Sequence, residues 1–217
     1  MSKYVVVDLE MCKVPPNLRT KKYHWGCETI QIGAVLLNEE YEIIDEFNTY
    51  VSPEFGVISD YIEKLTGITY KNIESAPKMK EALKMFLDWM PQDVIMVAWS
   101  DNDERQFNKE IESKEISLEG LDKILGNWID CQKLFTEKMN TGKIYRLSEA
   151  LIIADIDYEE YAHDGLVDAS NTALLFKKIQ NQEQLKLNTY YVSIEEENSL
   201  CMSLGSLFED LQLLGIA

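Results

Sequence analysis

The sequence predicts an α/β fold, a mixed sheet flanked by helices, on three observations. A β-branched apolar run opens the chain at residues 4–11 (YVVVDLEM), and two further strand-like segments follow with a short polar turn between them. From residue 58 onward, apolar positions recur at helical spacing around another apolar strand. Strands joined by short turns form an antiparallel meander, and strand–helix units built onto it add parallel strands to the same sheet.

Residues 4–11 read as the central strand, because three consecutive valines suit a strand covered on both faces. Asp8 and Glu10 stand at its C-terminal end, and the two-residue period points both carboxylates to one face. Two acids beside an apolar core repel each other and lose hydration, which a hard divalent cation offsets. The alternative is that one acid leans past the strand end into solvent. Residues 11–27 (MCKVPPNLRTKKYHWGC) hold no acid, carry Lys13, Arg19, Lys21 and Lys22, and present Tyr23, His24 and Trp25. Those rings either stack on nucleobases or cover the core.

Residues 28–38 and 42–51 are the expected second and third strands, stopped by Ser52-Pro53 because proline gives no N–H to a ladder. Residues 58–69 read as a helix ending at Gly67. Residues 76–90 read as another, with Pro77 in its first turn and Met79, Leu83, Phe86, Leu87 and Met90 on one face. Residues 94–99 (VIMVAW) are a fourth strand, after which a helical pattern starts. Residues 127–130 are a short fifth strand, and helices are expected at 131–140, 147–154 and 167–180.

The net charge of −17 argues against a protein that coats duplex nucleic acid over its whole surface. No apolar run is long enough to cross a bilayer, and the segment MSKYVVVD lacks the features of a secretion signal. Cys12, Cys27, Cys131 and Cys201 show no C-x-x-C spacing, which fits a reducing cytoplasm. A zinc site from Cys12, His24 and Cys27 lacks a fourth ligand. From residue 187 there is no lysine or arginine, while Leu200, Leu204, Leu207, Phe208, Leu211 and Leu214 form an apolar stripe. The expected division is a domain at 1–186 and an acidic C-terminal extension at 187–217. A helix in that extension would pack on the domain, on a second copy of the chain or on another protein.

Two further acids carry chemistry. Asp103 follows the fourth strand and precedes Phe107 by four residues, so it opens a helix anchored on the sheet. Asp101 is its local rival, and an N-cap is the plain role for either. Asp168 lies early in the last helix, and His163 precedes it by five residues in a glycine-containing loop, which lets imidazole and carboxylate face one cleft. Alone, such a histidine is an ordinary loop residue.

Taken together, DLE at 8–10, ETIQIGAV at 28–35, ISDYIEKLTGIT at 58–69, SDNDERQF at 100–107 and HDGLVDA at 163–169 resemble the DnaQ-like 3′-to-5′ exonucleases of the DEDDh type. The likeness is to the KapD-like branch related to the histone-mRNA exonucleases and runs over residues 4–180. It implies a ribonuclease-H-like fold with a mixed five-stranded sheet. It makes Asp8, Glu10, Asp103 and Asp168 ligands of two divalent ions and His163 the general base. Oxygen ligation suits Mg²⁺ or Mn²⁺ rather than zinc. The implied activity is release of nucleoside 5′-monophosphates from 3′ ends of single-stranded nucleic acid, RNA favoured over DNA. Leu9, Met11, Leu65, Thr66 and His163 are the implied substrate contacts. One departure is Asn102, which stands where the histone-mRNA branch has an aromatic residue before the third acid. The competing functions are a DNA-directed enzyme of the same mechanism and a KapD-like regulatory protein that keeps the fold.

Overall fold

Strand β1 (Lys3–Lys13) is the spine of a five-stranded sheet in the computed structural model, which describes residues 3–126, 128–140, 142–158 and 163–188. β2 (Cys27–Leu37) pairs with it antiparallel, setting Asp8 opposite Gly33 and Glu10 opposite Gln31, and β3 (Ile43–Tyr50) completes the meander. β4 (Val94–Ala98) lies parallel to β1 on its other side, and β5 (Trp128–Asp130) lies parallel to β4. The order is β3-β2-β1-β4-β5.

Alternation along β1 feeds two cores. Val5, Val7 and Leu9 pack on one side with Phe86 and Phe107, while Val6 packs on the other with Leu175 and Phe176. The first side carries α3 (Met79–Trp89) and α4 (Asn102–Ser113), which follow the shorter α1 (Asp60–Thr66) and α2 (Tyr70–Ile73) in the chain. α5 (Asp122–Leu125) precedes β5, and α6 (Cys131–Met139), α7 (Leu147–Ile153) and α8 (Gly165–Asn181) cover the second side. Among the described residues no helix is long and apolar enough to cross a membrane.

Several boundaries differ from those expected, each for a local reason. The helix expected at 58–69 starts at Asp60 because Ser59 caps it, its Oγ accepting the Ile62 N–H at 3.3 Å, and it stops at Gly67 with φ 70°. Thr69 then opens α2, a single turn that the periodicity did not reveal, with its N–H donating to the Asn72 Oδ1 at 2.9 Å. α3 begins at Met79, not in a turn containing Pro77, whose carbonyl accepts the Ser52 N–H at 2.9 Å. α8 begins two residues before the expected start because Asp164 accepts the N–H groups of Leu166 and Val167. The expected C-terminal helix and its leucine stripe, from residue 189 onward, lie outside the described residues.

Candidate active site

Period-2 alternation places Asp8 and Glu10 on the same side of β1 as Val6, the side on which α8 packs. β4 runs parallel beside β1, with Val6 opposite Val97, so the first turn of α4 emerges next to the end of β1. Asp103 in that turn is only 5% exposed, and the Leu9 N–H donates to its Oδ1 at 3.0 Å. Asp101, the local rival, stands at the N-cap position, pairs with Arg105 and does not line the cleft.

α8 delivers the remaining groups through an unusually close approach. A side chain at Gly33 would overlap the backbone of Gly165 and Leu166, and a Cβ at Gly165 would lie 3.1 Å from the Asp8 carbonyl oxygen. Buried Gln31 fixes this contact, its Oε1 accepting the Gly165 N–H at 3.1 Å and its Nε2 donating to Asn48 Oδ1 at 3.1 Å. Asp168, one turn into α8, then accepts the His163 N–H on Oδ2 at 2.9 Å. That bond holds His163 in the left-handed region at φ 71°, a conformation histidine adopts more readily than most side chains.

All five predicted residues, Asp8, Glu10, Asp103, His163 and Asp168, line one cleft of about 520 Å³. Glu10, His163 and Asp168 offer ligand atoms that all lie within 4.8 Å of one another, the one group of its kind among the described residues. Cys12, His24 and Cys27 form no such group among the described residues. Leu9 and Met11 also line the cleft. Leu65 and Thr66 do not: they end α1, where the Thr66 hydroxyl donates to the Ile62 carbonyl at 2.9 Å and accepts the Ile68 N–H at 3.1 Å. The rings of the basic loop divide. Tyr23 is buried and stacks on Phe55, whereas Trp25 lines the cleft.

Burial and mutual repulsion raise every acid of the cluster. Desolvation, followed by the charges of Asp103, Asp168 and Glu10, holds Asp8 well above the usual carboxylate range. Glu10, 8% exposed, is pushed up to about 8 by desolvation and then by Asp168 and Asp103. Desolvation takes Asp103 up to about 7 against the opposing Leu9 N–H, and it raises Asp168 against the opposing His163 N–H. Four carboxylates so placed are short of positive charge, and their oxygens with one imidazole form a donor set that suits a divalent cation.

Some neighbours of the site were not singled out in the sequence. Gln106 lines the cleft three residues beyond Asp103, a spacing that could have revealed it, whereas nothing in the sequence points to Lys109, six residues beyond, or to Leu147. Next to the cleft, Glu28 accepts backbone N–H groups from Glu54, Phe55 and Gly56 at 2.7, 2.8 and 2.6 Å. Lys114 joins Glu28 to Glu110 at 2.7 and 2.8 Å, and Glu110 accepts the Thr29 N–H at 2.7 Å. This buried cluster ties α4 to the start of β2.

Comparison with known proteins agrees with this geometry. ERI1 exoribonuclease 2 of Danio rerio is 33% identical over 181 residues, covering 71% of this chain and 31% of the relative. The 3′-5′ exonuclease Snipper of Drosophila melanogaster is 27% identical over 205 residues, covering 82% of this chain and 69% of the relative. A solved structure titled 3′-end specific recognition of histone mRNA stem-loop by 3′-exonuclease superimposes with a TM-score of 0.68 at 23% identity. It covers 86% of this chain and 66% of that one, and it shares the ribonuclease-H-like fold. The chain thus spans less than a third of the ERI1 exoribonuclease 2 sequence it matches. A family model described as exonuclease (RNase_T) matches residues 5–176, and the chain belongs to this family.

Proposed function

We propose that this protein is a divalent-metal-dependent 3′-to-5′ exonuclease that releases nucleoside 5′-monophosphates from single-stranded RNA or short oligonucleotides. The observation that carries this reading is the meeting of Asp8, Glu10, Asp103, Asp168 and His163 in one cleft. Asp8, Glu10, Asp103 and Asp168 would hold two Mg²⁺ or Mn²⁺ ions, and their raised proton affinities express the charge such ions would balance. Bound there, the ions would lower the pKa of the attacking water and balance the charge on the leaving oxygen. His163 takes the proton from that water, as imidazole is suited to do near neutral pH. Its backbone bond to Asp168 keeps the base in register with the ligands.

The exoribonuclease name of the Danio rerio relative favours RNA over DNA. The net charge of −17 favours short single-stranded ends over long duplexes. In this reading residues 1–186 make up the exonuclease domain and residues 187–217 an acidic extension, which would pack on the domain, on a second copy or on another protein. A chain ending at Asn188 is therefore expected to keep its nuclease activity.

The test uses 5′-labelled single-stranded RNA and DNA of one sequence with Mn²⁺. The wild type should shorten the RNA stepwise from its 3′ end, and His163→Ala should slow this by roughly 10²–10⁴-fold. Lack of shortening of either strand, or equal shortening by the variant, would overturn the proposal and leave a regulatory protein on an exonuclease scaffold.

A further inference from the structure

Lys109 is the one lysine or arginine lining the cleft among the described residues, and the chemistry above does not use it. Asp103, Gln106 and Lys109 form an i, i+3, i+6 row along the cleft wall. The rise of an α-helix puts Lys109 about 9 Å beyond Asp103 along the axis. Its ammonium stands over the Trp25 ring, 5.2 Å from the centroid, and forms no ion pair among the described residues despite the four carboxylates in the same cleft. Trp25 is itself anchored: its Nε1–H donates to Ser113 Oγ at 2.8 Å and the His24 ring lies 4.2 Å away. The preceding Tyr23 is buried, with its hydroxyl donating to the Cys27 carbonyl at 2.7 Å. Three cations of the basic loop are engaged elsewhere. Lys22 pairs with Glu115 at 2.7 Å, Arg19 donates to the Val14 carbonyl at 3.2 Å, and Lys13 lies over Tyr61.

Building on the exonuclease reading, we propose that Lys109 binds the phosphate immediately upstream of the scissile one, with Trp25 as its positioning residue. A 3′-terminal nucleotide brings one phosphate, the one attacked, and that phosphate belongs among the four acids and their cations. A cation farther along the wall meets the next phosphate in the chain. Trp25 keeps the ammonium over an aromatic face, where it stays available instead of collapsing onto a carboxylate that the metal ions need. The cleft therefore selects a 3′ end of three or more nucleotides through its backbone, without reading the bases.

The experiment compares kcat/KM, with Mn²⁺ and over a range of salt, for a trinucleotide and for an aryl ester of a nucleoside 5′-monophosphate, which has only the scissile phosphate. Lys109→Gln should lose about tenfold more on the trinucleotide than on the ester, mainly through KM, as expected for one lost charge-assisted contact. Its slope of log(kcat/KM) against log[salt] should flatten by roughly 0.7, the value for one phosphate of a single strand. Lys109→Arg should restore both, and Trp25→Leu should reproduce part of the selective loss. Equal losses on the two substrates, or an unaltered salt slope, would overturn the phosphate contact while leaving the exonuclease reading intact. A wild type that cleaves neither substrate would remove that reading, and the contact with it.

Discussion

At the scale of single residues, the cleft is a concentration of acid that the apolar sheet beneath it does not solvate. Its pH behaviour follows directly. Glu10 and Asp103 are raised from 4.5 and 3.8 to about 8 and about 7, so the folded, metal-free protein keeps protons that the unfolded chain has already released. Stability from this source is full below the ordinary carboxylate values and falls as pH rises through about 7 to 8. The melting temperature in EDTA should accordingly decrease between pH 5.5 and 8, and Mn²⁺ should raise it more at pH 8 than at pH 5.5, since ligands must be ionised to bind. A metal-free melting temperature that climbs over this interval would contradict the assignment. The five central residues were legible in the sequence because their types and order form a set. Lys109 was not, because within NKEIESKE it looks like any lysine on a solvated helix. Tyr23 could be read as a stacking ring or as core, and only its packing on Phe55 decides for core.

At the scale of elements, two joints hold the site together. The first is the contact between α8 and β2 at Gly33 and Gly165. Gly33→Ala should destabilise the fold by about 1–3 kcal/mol, as overpacking does, and its loss of nuclease activity should exceed its loss of folded protein because Asp168 and His163 move with the helix. Urea unfolding and activity per folded molecule separate the two effects. The second joint is the buried Glu28–Lys114–Glu110 cluster. Burial alone would lower Lys114, but Glu110 and Glu28 more than offset it and leave it raised. Lys114→Met would strand two buried carboxylates, so a loss of about 3–5 kcal/mol in chemical unfolding is expected. Neither joint was visible beforehand. Strand and helix periodicities are local and mark the longer elements among the described residues, whereas a glycine needed by a helix 132 residues away in the chain, from Gly33 to Gly165, leaves no local trace. Caps explain the shifted boundaries, since Asp164 and Ser59 override the apolar pattern that placed the helix starts.

At the scale of the whole molecule, the sheet order makes the site. With β4 inserted beside β1 rather than beyond β3, the C-terminal ends of two parallel strands open on the same side, and the N-terminal segments of α4 and α8 meet there. Apolar patterning identifies each strand but does not say which strand it joins; only the likeness to a known family supplied that neighbourhood. Under the proposed function, the overall charge of −17 would favour nucleic acid entering at the end of a strand over binding along a duplex. Crystals soaked with Mn²⁺ and a nucleoside 5′-monophosphate decide whether the carboxylates meet for the reason given. Anomalous peaks for two ions among Asp8, Glu10, Asp103 and Asp168, with the phosphate against them and His163 facing the position of the attacking water, are expected. A cleft that takes up neither ion under these conditions, or that binds Mn²⁺ only away from these four residues, would contradict it.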